Sequence, residues 1–270
     1  MSNPYFHHFS SKLFLIYSSV FFALCMVISF LLISLEFNTS LMLAIHASPV
    51  MPEWFWSLMN LGGDAWVVLL ILLLAERRPG QLTSWVLKTW LLGAMAVQLI
   101  KHLLPMPRPA FVLGLEQLSV IDRQPMIGDS MPSGHALAAV CCGLVLCTVF
   151  KSRGLNQWGI ALIALLSVLV AWARVAVGAH WPADVIAGAG LACAVVAISH
   201  VWERRNSWNH WFKQMPGGVF LIVLHILISL HLVTPQSDFL IVQFVQFNLA
   251  CISLLKAVFL TKTFLFRRQS

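Results

Sequence analysis

The sequence has 270 residues, of which 59% are hydrophobic and only 10% are charged, and its formal net charge is +7. Soluble globular domains carry about 25% charged residues, so this composition excludes a water-soluble fold and predicts an integral membrane protein. The positive charge does not indicate nucleic-acid binding, because no basic domain stands apart from the apolar segments, and basic residues also fix orientation in a membrane.

Eight apolar segments follow one another along the chain and predict an all-α fold. They cover residues 13–35, 58–75, 85–104, 135–150, 157–173, 183–202, 217–233 and 239–260. The first is longer than the apolar region of a signal peptide, so we expect an uncleaved helix. The six cysteines all lie in apolar segments. Free thiols pack there as small apolar groups, and we expect no disulfide.

The basic residues predict an orientation in the membrane. With Lys12 in the cytoplasm, counting the crossings assigns most of the other basic residues to cytoplasmic loops and the C-terminal tail. These are Arg77, Arg78, Lys88, Lys151, Arg153, Arg204, Arg205, Lys213, Lys262, Arg267 and Arg268. This positive-inside bias places both termini in the cytoplasm.

The opposite side receives only Lys101, Arg108, Arg123 and Arg174. Topology gives no reason for these cations, so they are either anchors at helix ends or parts of a functional site. Two loops lie on this side, at 105–134 and 174–182. The first is unusually long for a structureless loop and carries both prolines and apolar residues. It could lie on the bilayer surface or line the entrance for an acyl chain.

Three motifs fall on this same side of the membrane. The first runs from Lys101 to Pro109 and includes Arg108. The second is Pro-Ser-Gly-His at 132–135, and the third runs from Arg174 through His180 to Asp184. Taken singly, each has a structural explanation: a helix start, an interfacial histidine, or a hydrogen-bonded His–Asp pair. Their joint occurrence in a chain with so few charges favours a catalytic site, because boundary charges are costly to keep.

Together the motifs supply what phosphoryl transfer requires. Lys101, Arg108 and Arg174 can neutralise phosphate oxygens, and the arginines can do so with two hydrogen bonds each. Ser133 is expected to cap the fourth helix, whose free N–H groups attract an anion, and Gly134 allows a close approach.

Two histidines, His135 and His180, can divide the roles of nucleophile and acid. Histidine titrates near neutral pH, so one ring can attack while the other donates a proton. If the sixth helix begins near Pro182, Asp184 turns back toward His180 and orients its ring, as in a hydrolase triad. This arrangement is typical of a phosphohistidine intermediate.

A metal site is the competing chemistry. The carboxylates on this side include Glu116, Asp122, Asp129 and Asp184, but they form no motif of metal ligands. Cations already occupy the positions where a divalent ion would act. We therefore expect catalysis without a metal ion or another cofactor.

At these residues the sequence resembles the type 2 phosphatidic acid phosphatase superfamily, whose pattern is K-x6-R-P, then P-S-G-H, then S-R-x5-H-x3-D. The chain matches every position except one, where Ala173 replaces a serine. The missing hydroxyl is expected to remove a supporting hydrogen bond rather than a catalytic group.

The resemblance implies a role for each matching residue and a division of the chain. His180 would be the nucleophile, Asp184 its orienting partner and His135 the acid. The phosphate would be bound by Lys101, Arg108, Ser133, Gly134 and Arg174. Residues 1–202 would form a six-helix core whose site faces away from the cytoplasm. Residues 203–270 would form a cytoplasmic linker and two additional transmembrane helices.

The substrate implied is a membrane lipid phosphate in a bacterial inner membrane. Undecaprenyl diphosphate is preferred over phosphatidylglycerol phosphate, phosphatidic acid and lipid A phosphates. Two alternatives stay open: a phosphotransferase that passes the phosphate to another lipid through the same phosphohistidine, and a lipid transporter or flippase. The motifs predict nothing about the oligomeric state.

Overall fold

The computed structural model describes residues 11–34, 37–47, 50–76, 78–125 and 127–266, and its regular structure there is helical. Its helices are α1 (Ser11–Ser34), α2 (Phe37–Ala47), α3 (Glu53–Gly62), α4 (Ala65–Leu74), α5 (Gln81–Leu103), α6 (Pro109–Leu113), α7 (Gly134–Ser152), α8 (Gln157–Ala176), α9 (Pro182–Arg205), α10 (Asn209–Phe212), α11 (Met215–Val233) and α12 (Leu240–Phe266). Seven of these described helices are long and apolar enough to cross a membrane, and α3 with α4 gives an eighth if that pair counts as one span. The chain is a multi-pass, all-helical membrane protein, as the sequence predicts.

The second predicted segment is not one straight helix. It begins earlier, at Glu53, and α3 and α4 meet at an angle of 61°. The break lies at Gly63 and Asp64, where the Asp64 carboxylate caps α4 by accepting hydrogen bonds from the N–H groups of Trp66 and Val67 at 2.9 and 3.1 Å. The predicted apolar segment 58–75 therefore corresponds to a broken span, because this cap starts a new helix at Ala65.

Helix α9 lies at the centre of the bundle. It packs against α1, α5, α7 and α8, and it is the most buried of the seven long spans. Its inner surface carries alanines and glycines, which let helix backbones approach closely in a membrane. A side chain at Gly188 would have no room, because its Cβ would lie 2.5 Å from the Ser133 carbonyl oxygen at the start of α7.

Helices α2 and α6 lie where no helix was predicted. Helix α2 packs on α8 and α9, and its Asn38 side chain accepts a hydrogen bond of 3.0 Å from the N–H of Ala183, in the first turn of α9. Helix α6 interrupts the long 105–134 loop and begins at Pro109, a favoured residue type for a first helical position. Both are short, and neither carries the long apolar pattern of a span.

The two C-terminal spans form a hairpin beside the broken pair. Helices α11 and α12 pack on each other, α11 also contacts α4, and α12 contacts α3. In the loop between them, the Ser237 hydroxyl and the Asp238 N–H donate to Asp122 Oδ1 at 3.0 and 3.2 Å. The Ser57 hydroxyl of α3 donates to the same carboxylate. The hairpin therefore braces the long loop that joins α5 to α7.

A second cluster of charges lies toward the other end of the bundle. Lys88 was predicted to lie in a cytoplasmic loop, but it is fully buried inside α5, with its Nζ 2.6 Å from Glu203 Oε2. Its Nζ also lies 5.4 and 4.8 Å from the ring centres of Trp202 and Trp208. Pairing with a buried carboxylate and two aromatic rings offsets the cost of burying this cation.

Arg77, Arg267 and Arg268 lie outside the described residues, and so does the side chain of Lys12.

Candidate active site

The three motifs meet at one end of the bundle, where α5 ends, α7 and α9 begin, and α8 ends. Gly178, with φ at 78°, turns the chain sharply after α8. The N–H of His180 then donates to the Arg174 carbonyl at 3.1 Å, which holds the histidine beneath the end of α8. Helix α9 follows at Pro182, as the sequence predicts.

His180 is buried and its ring is held through Nδ1. This atom lies 3.3 Å from Asp184 Oδ2 and 3.2 Å from the Ser130 hydroxyl. The same Asp184 oxygen accepts hydrogen bonds from the Ser130 hydroxyl at 2.5 Å and from the Trp181 N–H at 2.9 Å. The predicted His–Asp pair is therefore present, and Ser130 adds a third member.

The start of α7 has the predicted cap. The Ser133 side chain accepts a hydrogen bond of 3.3 Å from the N–H of Ala136, and its own N–H donates to the Asp184 carbonyl at 3.0 Å. Gly134 is the first residue of the helix, and His135 follows in its first turn. His135 lies within electrostatic range of His180, Arg174 and Arg108. Both imidazoles thus belong to one site.

The cations of the first and third motifs surround this pair. Lys101 donates to the carbonyl oxygens of Asp129 and Ser130. Arg108 Nη1 donates to the Ala179 carbonyl at 2.9 Å. Lys101 lies within electrostatic range of Arg108, Arg174 and Asp184.

Arg174 is almost completely buried and is oriented by two amide side chains. Its Nη1 donates to Asn60 Oδ1 at 2.5 Å and to Gln124 Oε1 at 2.9 Å. Asn60 comes from the end of α3, and Gln124 from the long loop. Ala173 beside it is fully buried.

Two buried donors in this site have no partner. Within the described residues, the Nε atoms of both Arg108 and Arg174 make no hydrogen bond. A buried N–H without an acceptor is costly, more so on a charged group, and an anion between these side chains would remove that cost. The charge and the free donors together are suited to a phosphate group.

The surroundings hold His180 in its neutral form. Burial lowers the pKa of His180 well below its ordinary value, and the positive charges of Arg174, Arg108 and Lys101 lower it further. A neutral imidazole keeps the lone pair that a nucleophile needs.

All eight predicted site residues lie in this region, but one further cation does not join them. Arg123 was grouped with Lys101, Arg108 and Arg174 because it lies on the same side. Its side chain is exposed and pairs with Asp238 at 3.2 Å. The next residue, Gln124, points to the site instead. Sequence reasoning missed Ser130, Asn60 and Gln124, because none of them belongs to a recognisable motif.

No group of three His, Cys, Asp or Glu residues in the described ranges could hold a metal ion. Two of the carboxylates considered as a metal site have other partners. Asp184 binds the His180 ring and Asp122 binds serine hydroxyls.

The sequence is similar to one family model and to two curated relatives. Residues 82–208 match the model of the PAP2 superfamily. This matched range contains all three motifs. The "Putative undecaprenyl-diphosphatase YbjG" of Escherichia coli (strain K12) is 29% identical over 186 residues, which are 63% of this chain and 89% of the relative. The "Undecaprenyl-diphosphatase" of Sulfolobus acidocaldarius is 32% identical over 124 residues, which are 46% of this chain and 56% of the relative.

No solved structure matches the chain significantly. The family match confirms the resemblance predicted from the motifs, and with the names of both relatives it indicates a phosphatase of the hydrolase class.

Proposed function

We propose that this PAP2 superfamily member removes phosphate from a lipid diphosphate, with undecaprenyl diphosphate as its preferred substrate. The observation that carries the proposal is the pair of buried, unpartnered arginine Nε atoms beside a neutral histidine. The names of the two relatives support the choice of lipid. The apolar spans support a substrate that stays in the bilayer.

In this mechanism His180 attacks the terminal phosphorus atom. Its Nδ1 is occupied by Asp184 and Ser130, so Nε2 is the attacking nitrogen. A bond forms between Nε2 and phosphorus while the bond from phosphorus to the bridging oxygen breaks. His135 gives its proton to that oxygen, and the lipid monophosphate leaves.

Water completes the reaction. The neutral His135 takes a proton from a water molecule, whose oxygen attacks the phosphohistidine. Inorganic phosphate leaves, and both histidines return to their first state. Lys101, Arg108 and Arg174, with the N–H groups at the start of α7, stabilise the charge on the phosphoryl oxygens in both steps.

The proposal includes a location and a division of the chain. The positive-inside bias favours a site on the periplasmic side of the bacterial inner membrane, with both termini in the cytoplasm. Residues 1–202 would be the catalytic core, and residues 203–270 the added linker and hairpin.

The decisive experiment is the His180→Ala variant, purified in detergent and supplied with undecaprenyl diphosphate labelled in its terminal phosphate. We expect no phosphate release above background, since the nucleophile is missing. His210→Ala serves as the control, because this exposed histidine in α10 lies outside the site. Turnover by His180→Ala at the wild-type rate would refute the mechanism. Label recovered in a second lipid, rather than as free phosphate, would identify a phosphotransferase.

A further inference from the structure

The Arg174 guanidinium contacts neutral side chains rather than a carboxylate. Its Nη1 donates to Asn60 and Gln124, and within the described residues no Asp or Glu lies at ion-pair distance from it. Lys101 and Arg108 add two further positive charges to the same site. The site therefore holds an excess of positive charge that a bound anion balances.

Strong anion binding slows product release. Under the proposed function these cations bind the phosphate of the substrate, and they bind the released inorganic phosphate with the same groups. The lipid part keeps the substrate in the bilayer beside the site, whereas free phosphate leaves quickly only if its affinity is low. A fixed negative charge near Arg174 would lower that affinity.

Asp64 provides such a charge. It lies in the break between α3 and α4 and within electrostatic range of Arg174. Asn60, in the last turn of α3, contacts Arg174, and Asp64 follows it by four residues, so the two side chains start roughly one helical turn of 5.4 Å apart. Between them, Gly63 packs on His135, because a Cβ added to this glycine would lie 3.2 Å from His135 Cβ. The break thus brings the Asp64 carboxylate to the edge of the phosphate site.

Solvent screens this carboxylate only weakly. The Asp64 side chain is 14% exposed, and charges that are mostly buried are screened much less than surface charges. Asp64 and His135 also line the same cavity, of about 310 Å³. The carboxylate can therefore act on the site across this space.

The contacts of Asp64 fix its position without a cationic partner. Its Oδ1 accepts from the N–H groups at the start of α4, and within the described residues no lysine or arginine pairs with it. His231 Nε2 of α11 lies 3.5 Å from Asp64 Oδ2 and 2.7 Å from the amide nitrogen of Gln236. An amide nitrogen only donates, so this ring nitrogen accepts and does not also donate to Asp64.

We infer that Asp64 is a positioning residue that weakens phosphate binding by Arg174 and so speeds the release of inorganic phosphate, an inference that rests on the proposed function. Its carboxylate attracts the Arg174 guanidinium and repels a bound phosphate, and both effects favour release. A purely structural Asp64 would act in the opposite direction, because its loss would disorder the site and weaken phosphate binding.

Asp64→Asn gives the sharpest test, because asparagine caps a helix as well as aspartate does and removes only the charge. The measurements are the Kd of inorganic phosphate, by calorimetry on purified protein in detergent, and its inhibition constant against undecaprenyl diphosphate. Both constants should fall about tenfold, the order expected when one unit charge is removed at roughly 10 Å in a medium with an effective dielectric constant of about 20. KM should fall too, and kcat should not rise, because release becomes slower.

Glu53→Gln is the matched control. It removes an equal charge from an exposed residue at the other end of α3, so both constants should stay at their wild-type values. Asp64→Ser keeps a capping oxygen without the charge and should also tighten phosphate binding. It covers the case in which the asparagine variant does not fold.

Unchanged or weaker phosphate binding in both Asp64→Asn and Asp64→Ser would overturn the inference. An equal tightening in Glu53→Gln would overturn it too, because any lost negative charge would then have the same effect. A wild type that binds inorganic phosphate but releases none from undecaprenyl diphosphate would refute the proposed function alone, since calorimetry still measures the effect of Asp64.

Discussion

Ser130 shows how a residue outside the motifs can complete the proposed catalytic group. Its hydroxyl donates to Asp184 Oδ2 at 2.5 Å and lies 3.2 Å from His180 Nδ1. It thus contacts both members of the predicted pair, and it is fully buried. A ring held at one nitrogen by two groups has little freedom to rotate, so its other nitrogen points in a fixed direction.

We expect Ser130→Ala to lower kcat by about tenfold to a hundredfold, the range for losing a hydrogen bond to a charged group in the transition state. KM should change little, because Ser130 is not assigned to the phosphate. Ser130→Thr keeps the hydroxyl and should recover part of the activity. A tenfold rise in KM with unchanged kcat would show that the serine binds substrate instead.

The cations around His180 predict a pH dependence. Burial lowers the pKa of this histidine, the cations lower it further, and attack requires the neutral ring. Activity should therefore persist as the pH falls through the ordinary histidine pKa of about 6.5, and it should be lost only at lower pH. Lys101→Met removes one of the positive charges that lower the pKa of His180. The acidic limb of the pH–activity profile should therefore move to higher pH.

The measurement is kcat/KM against pH for the wild type and for Lys101→Met with the same substrate. The ionisation of the substrate affects both profiles equally, so a displacement between them reports a change in the pKa of a group in the enzyme. A displacement toward lower pH in the variant would contradict the assignment of His180 as the neutral nucleophile.

At the scale of elements, the crossing of α7 and α9 sets the geometry of the site. The Ser133 N–H donates to the Asp184 carbonyl at 3.0 Å, which ties the starts of the two helices together. Gly188 makes this approach possible, one turn further along α9. Glycine at this position is therefore needed for the geometry of the site as well as for the packing of the two helices.

Gly188→Ala should separate the two helix starts, because the added Cβ would lie 2.5 Å from the Ser133 carbonyl oxygen. Overpacking of this kind costs about 1–3 kcal/mol. Gly190→Ala is a matched control, since its Cβ would lie 2.5 Å from Cys25 Cβ, away from the site. Thermal unfolding in detergent should show both variants destabilised, whereas kcat of the folded fraction should fall only in Gly188→Ala. An equal fall in both would mean that general packing, not the helix crossing, controls the rate.

The motif residues of the site could be predicted from the sequence, and the partners outside the motifs could not. The Ser133 cap, the Pro182 helix start and the His180–Asp184 pair each depend on neighbours within a few residues, and the structure contains all three. Asn60 is 114 residues away from Arg174 along the chain, and it belongs to none of the three motifs. A pattern of single residues carries no information about such a partner.

At the scale of the whole molecule, the C-terminal hairpin is linked to the phosphate site. Its loop binds Asp122 through Ser237 and the Asp238 N–H. Two residues further, Gln124 accepts a hydrogen bond of 2.9 Å from Arg174. The sequence predicts no function for these two helices, and we propose that these contacts position Arg174 without touching the substrate.

Asp122→Ala should therefore raise KM by up to about tenfold, with a smaller effect on kcat, since Arg174 binds the phosphate before and during the reaction. Asp122→Asn keeps an acceptor oxygen and should restore most of the affinity. Arg123→Ala removes only the exposed ion pair with Asp238 and should behave as the wild type. Kinetics on folded protein would decide, and normal KM in Asp122→Ala would separate the hairpin from the site.

The buried Lys88–Glu203 pair and the phosphate site enclose an apolar slab of limited depth. Lys88 and Lys101 both belong to α5, so their Cα atoms are separated by roughly 20 Å. The hydrocarbon core of a bilayer is about 30 Å thick. The two charged layers are thus closer together than the two membrane surfaces, so at least one of them lies below headgroup level. Where the proposed phosphate site is that layer, a thin bilayer should lower the work of bringing a phosphate to His180, and a thick bilayer should raise it.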